Sequence, residues 1–442
     1  FELAAMMQIA NVAAILPVVT SYGPAQYSCV LEGSDTYYYD SEETIYKRLF
    51  QDLKEAVEWL KDFRDSSPSQ DLLDDFKRAD KVCDGDIDKW IKFANTLRLR
   101  IAMQLVKVYP DSQKEAEDAV RDGVLTNSDS DVVLKSGLML FRIEDLWNDT
   151  RANANIISIL QGYSDPRLER WFATNNADIY STDDELSPVV EKATKYLGVR
   201  QGVPMTRTEY QGYSKTSRVG IPEQGPRPVL RVAEAYFLRA EGMLRNWNMG
   251  DGTPESLYNE GIHSAWASVL GDESGWAGTY ESYINGFINT EEGGDFDWEL
   301  FEGGFGSAPY INYRNQEYNY YIEENGKQVG INRISVRWHD EDSPEKKLQR
   351  IITQKWISFF PTLSSVAWTE YRRTGYPKLI PIPSDLNYSN GAIDTELQIR
   401  RLPFTQSEYR GNTEEVNKAL GLLKGPDNGG TRLWWDAGKN NF

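Results

Sequence analysis

Residues 354–377 read QKWISFFPTLSSVAWTEYRRTGYP. Leu348, Ile351, Ile352, Trp356 and Phe359 recur at the three- and four-residue spacing of one buried helical face. A second helix ends on Tyr371, Arg372 and Arg373, with Gly375 and Pro377 as stop signals. A guanidinium at that end can bind the last carbonyls or a carboxylate from a neighbour. The stretch therefore reads as scaffold, and Trp356 is expected in the core.

Other segments carry the same period. In SEETIYKRLFQDLKEAVEWLKDF (41–63), Ile45, Leu49, Leu53, Val57 and Leu60 share a face, and Asp40 with Glu43 reads as a capping-box-like start. Residues 65–75 read as a polar loop. Trp90, Ala94, Leu97, Ile101, Leu105 and Val108 line a helix over 87–109. Arg98 and Arg100 lie off that stripe, and Glu234, Arg239 and Glu241 stand on a helix over 229–247, so inter-helix ion pairs are expected. That helix and another over 257–270 are joined by a Gly/Pro turn and form an αα-hairpin of about tetratricopeptide length. Helical order gives way over 271–343, where only RISVRW (333–338) alternates like a strand. A second loop-rich stretch covers 176–228.

Composition narrows the function. The net charge is −19, from 48 basic and 67 acidic residues with no basic block, which disfavours nucleic acid and anionic membrane surfaces. Two histidines, His263 and His339, exclude a multi-histidine zinc site and disfavour a histidine triad. HExxH, GxSxG, Walker and CxxC motifs are all missing. Cys29 and Cys83 are compatible with a disulfide or with two free buried thiols. The apolar run 3–20 is interrupted by Gln8, Asn11 and Pro17 and reads as a buried helix rather than a membrane span. The chain opens inside that helical pattern, and a signal or lipid anchor is expected upstream. NSDSD at Asn127 alternates oxygen ligands but lacks the glycine and glutamate of a calcium loop, so calcium is a minor alternative to no cofactor.

Aromatic content is high, with 13 tryptophans and 25 tyrosines. Rings outside helical patterns need a purpose other than the core. Trp276, Tyr280, Trp298, Tyr310, Tyr313, Tyr318, Tyr320 and Tyr321 crowd the irregular segment, which a fully disordered chain would not need. Asn312, Arg314 and Asn315 are interleaved with them. DLWNDTRANAN offers Trp147, Asn148 and Arg151 as a second cluster, and TYYYD (36–40) is a third.

The motifs GDIDKWIKFANTLRLRIAMQL, DPRL, VLRVAEAYFLRAEG, YNEGIHSAW, IITQKW…AWTEYRRTGYPKL and RRLPFTQSEYRGNTEEVNKAL…RLWWD follow one another from Gly85 to Asp436. In that order they resemble the SusD/RagB family, in its SusD-like branch. The resemblance implies a mostly α-helical SusD-like fold, with TPR-like helix pairs as scaffold, loop-rich elaborations and minor β structure. It implies one body over 1–442, with 271–343 as a loop-rich insertion and ligand-binding face. It further implies a non-catalytic, lipid-anchored receptor at the outer-membrane surface that captures a glycan for a SusC-like TonB-dependent transporter. A peptide receptor of the RagB kind is the alternative, and a glycoside hydrolase, needing two carboxylates about 5–9.5 Å apart, a remote one. The loop aromatics are expected to face outward and the helical arginines to act as girders.

Overall fold

The computed structural model describes residues 2–34, 36–135, 150–175, 196–206, 212–215, 227–270, 283–284, 306–307, 320–324 and 326–442, and every structural statement concerns these. Helices dominate. The first, α1 (Glu2–Tyr22), packs on α3 (Glu42–Asp65) after a short α2 (Ser28–Glu32). Ala5, Ile9, Val12 and Val19 of α1 are buried, whereas Leu3, Met7 and Val18 are exposed. It is long and apolar enough to cross a membrane. Its packing against α3 nonetheless makes it part of the body, buried on one side rather than all round.

On α3 the apolar stripe at 45, 49, 53, 57 and 60 is fully buried, as its spacing requires. Its cap differs from expectation. Ser41 is the N-cap and accepts from the Thr44 amide, while Asp40 accepts from the Ser28 amide. The polar stretch expected as a loop over 65–75 is one only to Ser69, because α4 (Gln70–Ala79) starts there. Phe76 is the only buried residue of α4, so its apolar signal is thin.

Next come α5 (Ile87–Gln104) and α6 (Ser112–Arg121), which pack together, then β1 (Val132–Leu134), α7 (Ala154–Gly162) and α8 (Arg167–Trp171). Strand β2 (Arg227–Leu230) pairs antiparallel with β1 and takes the residues expected to begin the following helix. That helix is α9 (Val232–Leu244), which lies against α10 (Pro254–Leu270) as the expected hairpin. Gly261 permits the close crossing: a Cβ there would sit 2.7 Å from the Phe237 ring. Strands β3 (Ile322–Glu324) and β4 (Lys327–Val329) form a small hairpin.

Residues 333–338 are not a strand. Their carbonyls are taken by side chains instead: Tyr163 donates to Ile334 (2.7 Å), Tyr258 to Val336 (2.7 Å) and Arg350 to Ser335 (3.0 Å). The opening stretch forms α11 (Pro344–Ser358) and α12 (Ser364–Thr374), and Gly375 ends the latter in the left-handed region at φ 80°. Short helices α13 (Gln406–Gly411) and α14 (Thr413–Leu420) precede a tail whose Leu433 and Trp435 are buried.

The expected ion pairs hold the helices together. Arg100 of α5 grips Glu234 of α9 at 2.5 and 2.7 Å, and Arg98 grips Glu115 of α6 at 2.7 Å. Arg373 of α12 holds Glu241 of α9 through both oxygens (2.6 and 2.7 Å) and Glu370 at 2.5 Å, with Arg245 and Lys355 alongside. Arg239 differs: it donates to the carbonyls of Met249 and Asp251. Asp129 and Asp131 of the NSDSD run serve Lys92 and Arg231 respectively. Cys29 and Cys83 are free buried thiols.

Glu42 is buried with one oxygen accepting from the Trp434 amide (2.9 Å) and the other unpartnered. Burial pushes its carboxyl up to about 7 against the Trp434 hydrogen bond and the charges of Lys424, Arg372 and Arg401. Because the folded acid holds its proton more tightly than the unfolded one, stability falls as pH rises from about 4.5 through 7. Glu42→Gln is expected to be neutral below that range and to stabilise by on the order of 1–3 kcal/mol at pH 8, read by denaturant unfolding.

Candidate functional site

The break between α11 and α12 leaves rings from both helices facing one space. Trp356, Phe359, Phe360, Trp368 and Tyr371 line a cleft of about 470 Å³. Phe360 is anchored from behind by Trp171 and Phe172, with ring centroids 4.9 and 5.0 Å away. Trp356, Phe360 and Trp368 are half-buried, so each is fixed by packing yet presents surface to solvent. The indole of Trp368 donates to the Ile399 carbonyl (3.1 Å), and the Arg372 guanidinium lies 3.5 Å over its ring. The Tyr371 hydroxyl donates to the Glu396 carbonyl (2.8 Å), and burial raises its pKa above the usual phenol value.

Polar groups come from other parts of the chain. Thr150, Arg151, Asn153, Gln201 and Gln398 complete the lining. Asn153 caps α7 by accepting from the Asn155 amide (2.8 Å), and Asn155 accepts from the Ile380 amide (2.6 Å), which pins the 379–380 segment beside the cleft. Gln398 adopts φ 56°. No described lining residue carries a carboxyl or an imidazole. The arrangement offers flat apolar rings rimmed by amide, hydroxyl and guanidinium groups.

Of the sequence candidates, Arg151 lies in this cleft. Tyr320 is not among the lining residues; it packs on Ala154 and Ile380, neighbours in sequence of the lining residues Asn153, Asn155 and Leu379. The Arg200 guanidinium lies 5.3 Å over the Tyr320 ring. Burial and Glu396 raise the Tyr320 pKa, partly countered by Arg200. Tyr321 is half-buried. Trp147, Asn148, Trp276, Tyr280, Trp298, Tyr310, Asn312, Tyr313, Arg314, Asn315 and Tyr318 lie outside the described residues.

Two rings of the 271–343 segment that are not among the named candidates turn inward. Tyr283 is 1% and Trp338 6% exposed. The Tyr283 hydroxyl donates to Asp165 (2.8 Å), whose two oxygens also hold Arg167, and the Trp338 ring packs at a tilt against Tyr258 with centroids 5.4 Å apart. These rings complete the core where regular helices stop. Conversely, Trp356 was expected inside and is only half-buried at the cleft. The missed signal is Phe360-Pro361, which breaks the aromatic run between the two helices and leaves rings from both sides of the break beside one open space.

A sequence profile of the family described as SusD-like, Susd and RagB outer membrane lipoprotein, matches residues 1–280 and 305–436. The chain belongs to this SusD-like family. Its members are outer membrane lipoproteins, which places the protein at the outer membrane. Solved structures agree. A chitin-binding SusD homologue from Flavobacterium johnsoniae is 35% identical, with TM-score 0.81 over 99% of this chain and 81% of that one. SusD homologues from Bacteroides vulgatus and Bacteroides uniformis are 32% and 30% identical, with TM-scores 0.80 and 0.77. They are covered over 80% of their length by 99% and 98% of this chain. No curated protein matches the sequence. The SusD-like fold is thus the expected mostly helical one, and the family supports glycan binding at the outer membrane.

Tyr320→Phe is expected to leave the unfolding midpoint unchanged. Tyr320→Ala, which empties the contact between Ala154, Ile380 and Arg200, is expected to destabilise by roughly 1–3 kcal/mol in denaturant titrations.

Proposed function

We propose that this protein is a non-catalytic cell-surface receptor that captures an oligosaccharide in the aromatic cleft and passes it to a SusC-like TonB-dependent transporter. The observation that carries the reading is the set of half-exposed, packing-fixed rings, Trp356, Phe360 and Trp368, beside an amide-rich rim. A sugar ring has an apolar C–H face and a hydroxyl edge, and these two surfaces answer both features. Prefixed rings lose little freedom on binding. Each neutral hydrogen bond adds only about 0.5–1.5 kcal/mol, so affinity stays modest and cargo can be released. The resemblance to a chitin-binding homologue makes N-acetylglucosamine oligomers the first cargo to try. We place the rings of 271–343, Trp276 and Trp298 foremost, as a second contact surface of the same body.

The test is retention on a panel of neutral oligosaccharides, chitin fragments included, beside a peptide pool, with product analysis after incubation. Expected are glycan binding without shortened products and a loss of roughly tenfold or more in affinity for Trp356→Ala and Gln398→Ala. Wild-type binding by both variants would remove the cleft assignment. Retention of peptides alone would replace the glycan.

A further inference from the structure

A second cavity, of about 580 Å³, opens against the last turn of α12. Trp368 and Tyr371 line the aromatic cleft, and the next two residues, Arg372 and Arg373, line this one. Six cationic side chains surround it: Lys107, Arg372, Arg373, Arg400, Arg432 and Lys439. Among the side chains of the described lining residues the only carboxylate is Glu345. Such a cluster is unexpected on a chain of net charge −19.

Internal partners neutralise only part of it. Arg400 and Arg432 share one carboxylate, Asp436, at 2.6 and 2.7 Å. Arg373 holds Glu241 and Glu370 but leaves its Nε buried without a hydrogen-bond partner. The other three cations meet neutral groups. Lys107 donates to the carbonyls of Arg373 (2.7 Å) and Lys439 (2.8 Å), and Lys439 to the carbonyl of Lys107 (3.2 Å). Arg372 donates to the Arg400 carbonyl (2.8 Å) and the Thr369 hydroxyl (3.3 Å), between the rings of Trp368 and Trp435. Arg372 is buried, Lys107 half-buried and Lys439 exposed, and holding a buried cation beside others without a matching anion is unfavourable. The strain shows in their acidity. Burial and Arg373 lower Lys107 to about 8, with Arg245 adding to this and Glu241 and Asp436 opposing. Burial and Arg400 lower Arg372 to about 9, against Asp436, Tyr46 and Glu42.

We propose that this cavity binds one oxyanion, a carboxylate or sulfate group, held by Arg372, Arg432, Lys439 and Lys107. Guanidinium groups favour such planar or tetrahedral oxygens by paired, charge-assisted hydrogen bonds. The volume lies within the range of small-ligand pockets, which admits an acidic sugar as well as a free anion. The site is separate from the aromatic cleft and stands whether or not that cleft binds glycan.

Isothermal calorimetry on the whole chain at low ionic strength tests it, with inorganic sulfate, glucuronate, N-acetylglucosamine 6-sulfate and neutral N-acetylglucosamine as probes. The oxyanions are expected to bind more weakly as salt rises, and the neutral sugar not to compete with them. A sulfated sugar or uronate that outbinds sulfate identifies an acidic sugar as the source, and equal binding identifies a free anion. Arg432→Gln combined with Lys439→Gln is expected to lower oxyanion affinity at least roughly tenfold. Any neutral-oligosaccharide binding at the cleft should stay unchanged, and Lys439→Gln alone, which breaks no ion pair with Asp436, is expected to weaken oxyanion binding in the same direction without moving the unfolding midpoint. The proposal is overturned if no oxyanion binds at about 10 mM, or if the double variant binds as wild type.

Discussion

The buried grip of Arg373 on Glu241 and Glu370 fixes where the last long helices lie. All three side chains are at most 2% exposed, and their oxygens and nitrogens meet at 2.5–2.7 Å. Neither glutamate can stay ionised there alone; Arg373, aided by Lys355 at both and by Arg245 at Glu241, holds the two carboxyls below the usual range despite burial. Such a cluster contributes little net stability over a well-packed apolar one. What it specifies is position, because the carboxylates are satisfied only when α9, α11 and α12 are in one register. Apolar stripes on the same helices would tolerate a slide that the charges do not.

That register decides both surfaces of α12. With 3.6 residues per turn, Trp368 and Tyr371 face the space opened by the break before Ser364, Arg373 turns to the other side, and Arg372, one turn on from Trp368, reaches along that ring to the second cavity. The Arg372 guanidinium lies against Trp368 and so joins the two sides in one contact. A helix locked by buried charge therefore presents rigid rings to solvent, which suits recognition with small ordering cost. Scaffold and candidate site are parts of one hairpin.

The helical body was legible because its apolar residues keep strict spacing, as at Ile45 to Leu60 and Ala233 to Leu244. Arg98, Arg100 and Glu234 could be read as girders because a charge inside such a pattern needs a partner. Helix α4 escaped because Phe76 alone is buried, and 333–338 misled because alternation does not reveal that side chains satisfy the backbone. The cleft was less legible still. It draws Arg151, Gln201, Trp356, Trp368 and Gln398 from distant parts of the chain, and no local pattern announces that convergence. Trp356 satisfies the helical period and still keeps part of its ring in solvent, so periodicity alone assigned it to the interior.

The claim that one helical hairpin both anchors the body and receives the cargo is tested most directly by amide hydrogen exchange with and without a bound neutral oligosaccharide. The account predicts new protection at the start of α12, around Phe360 to Trp368, and in the 398–399 segment that accepts the Trp368 indole. Protection confined to residues remote from α11 and α12, with this hairpin exchanging as in the free protein, would contradict it.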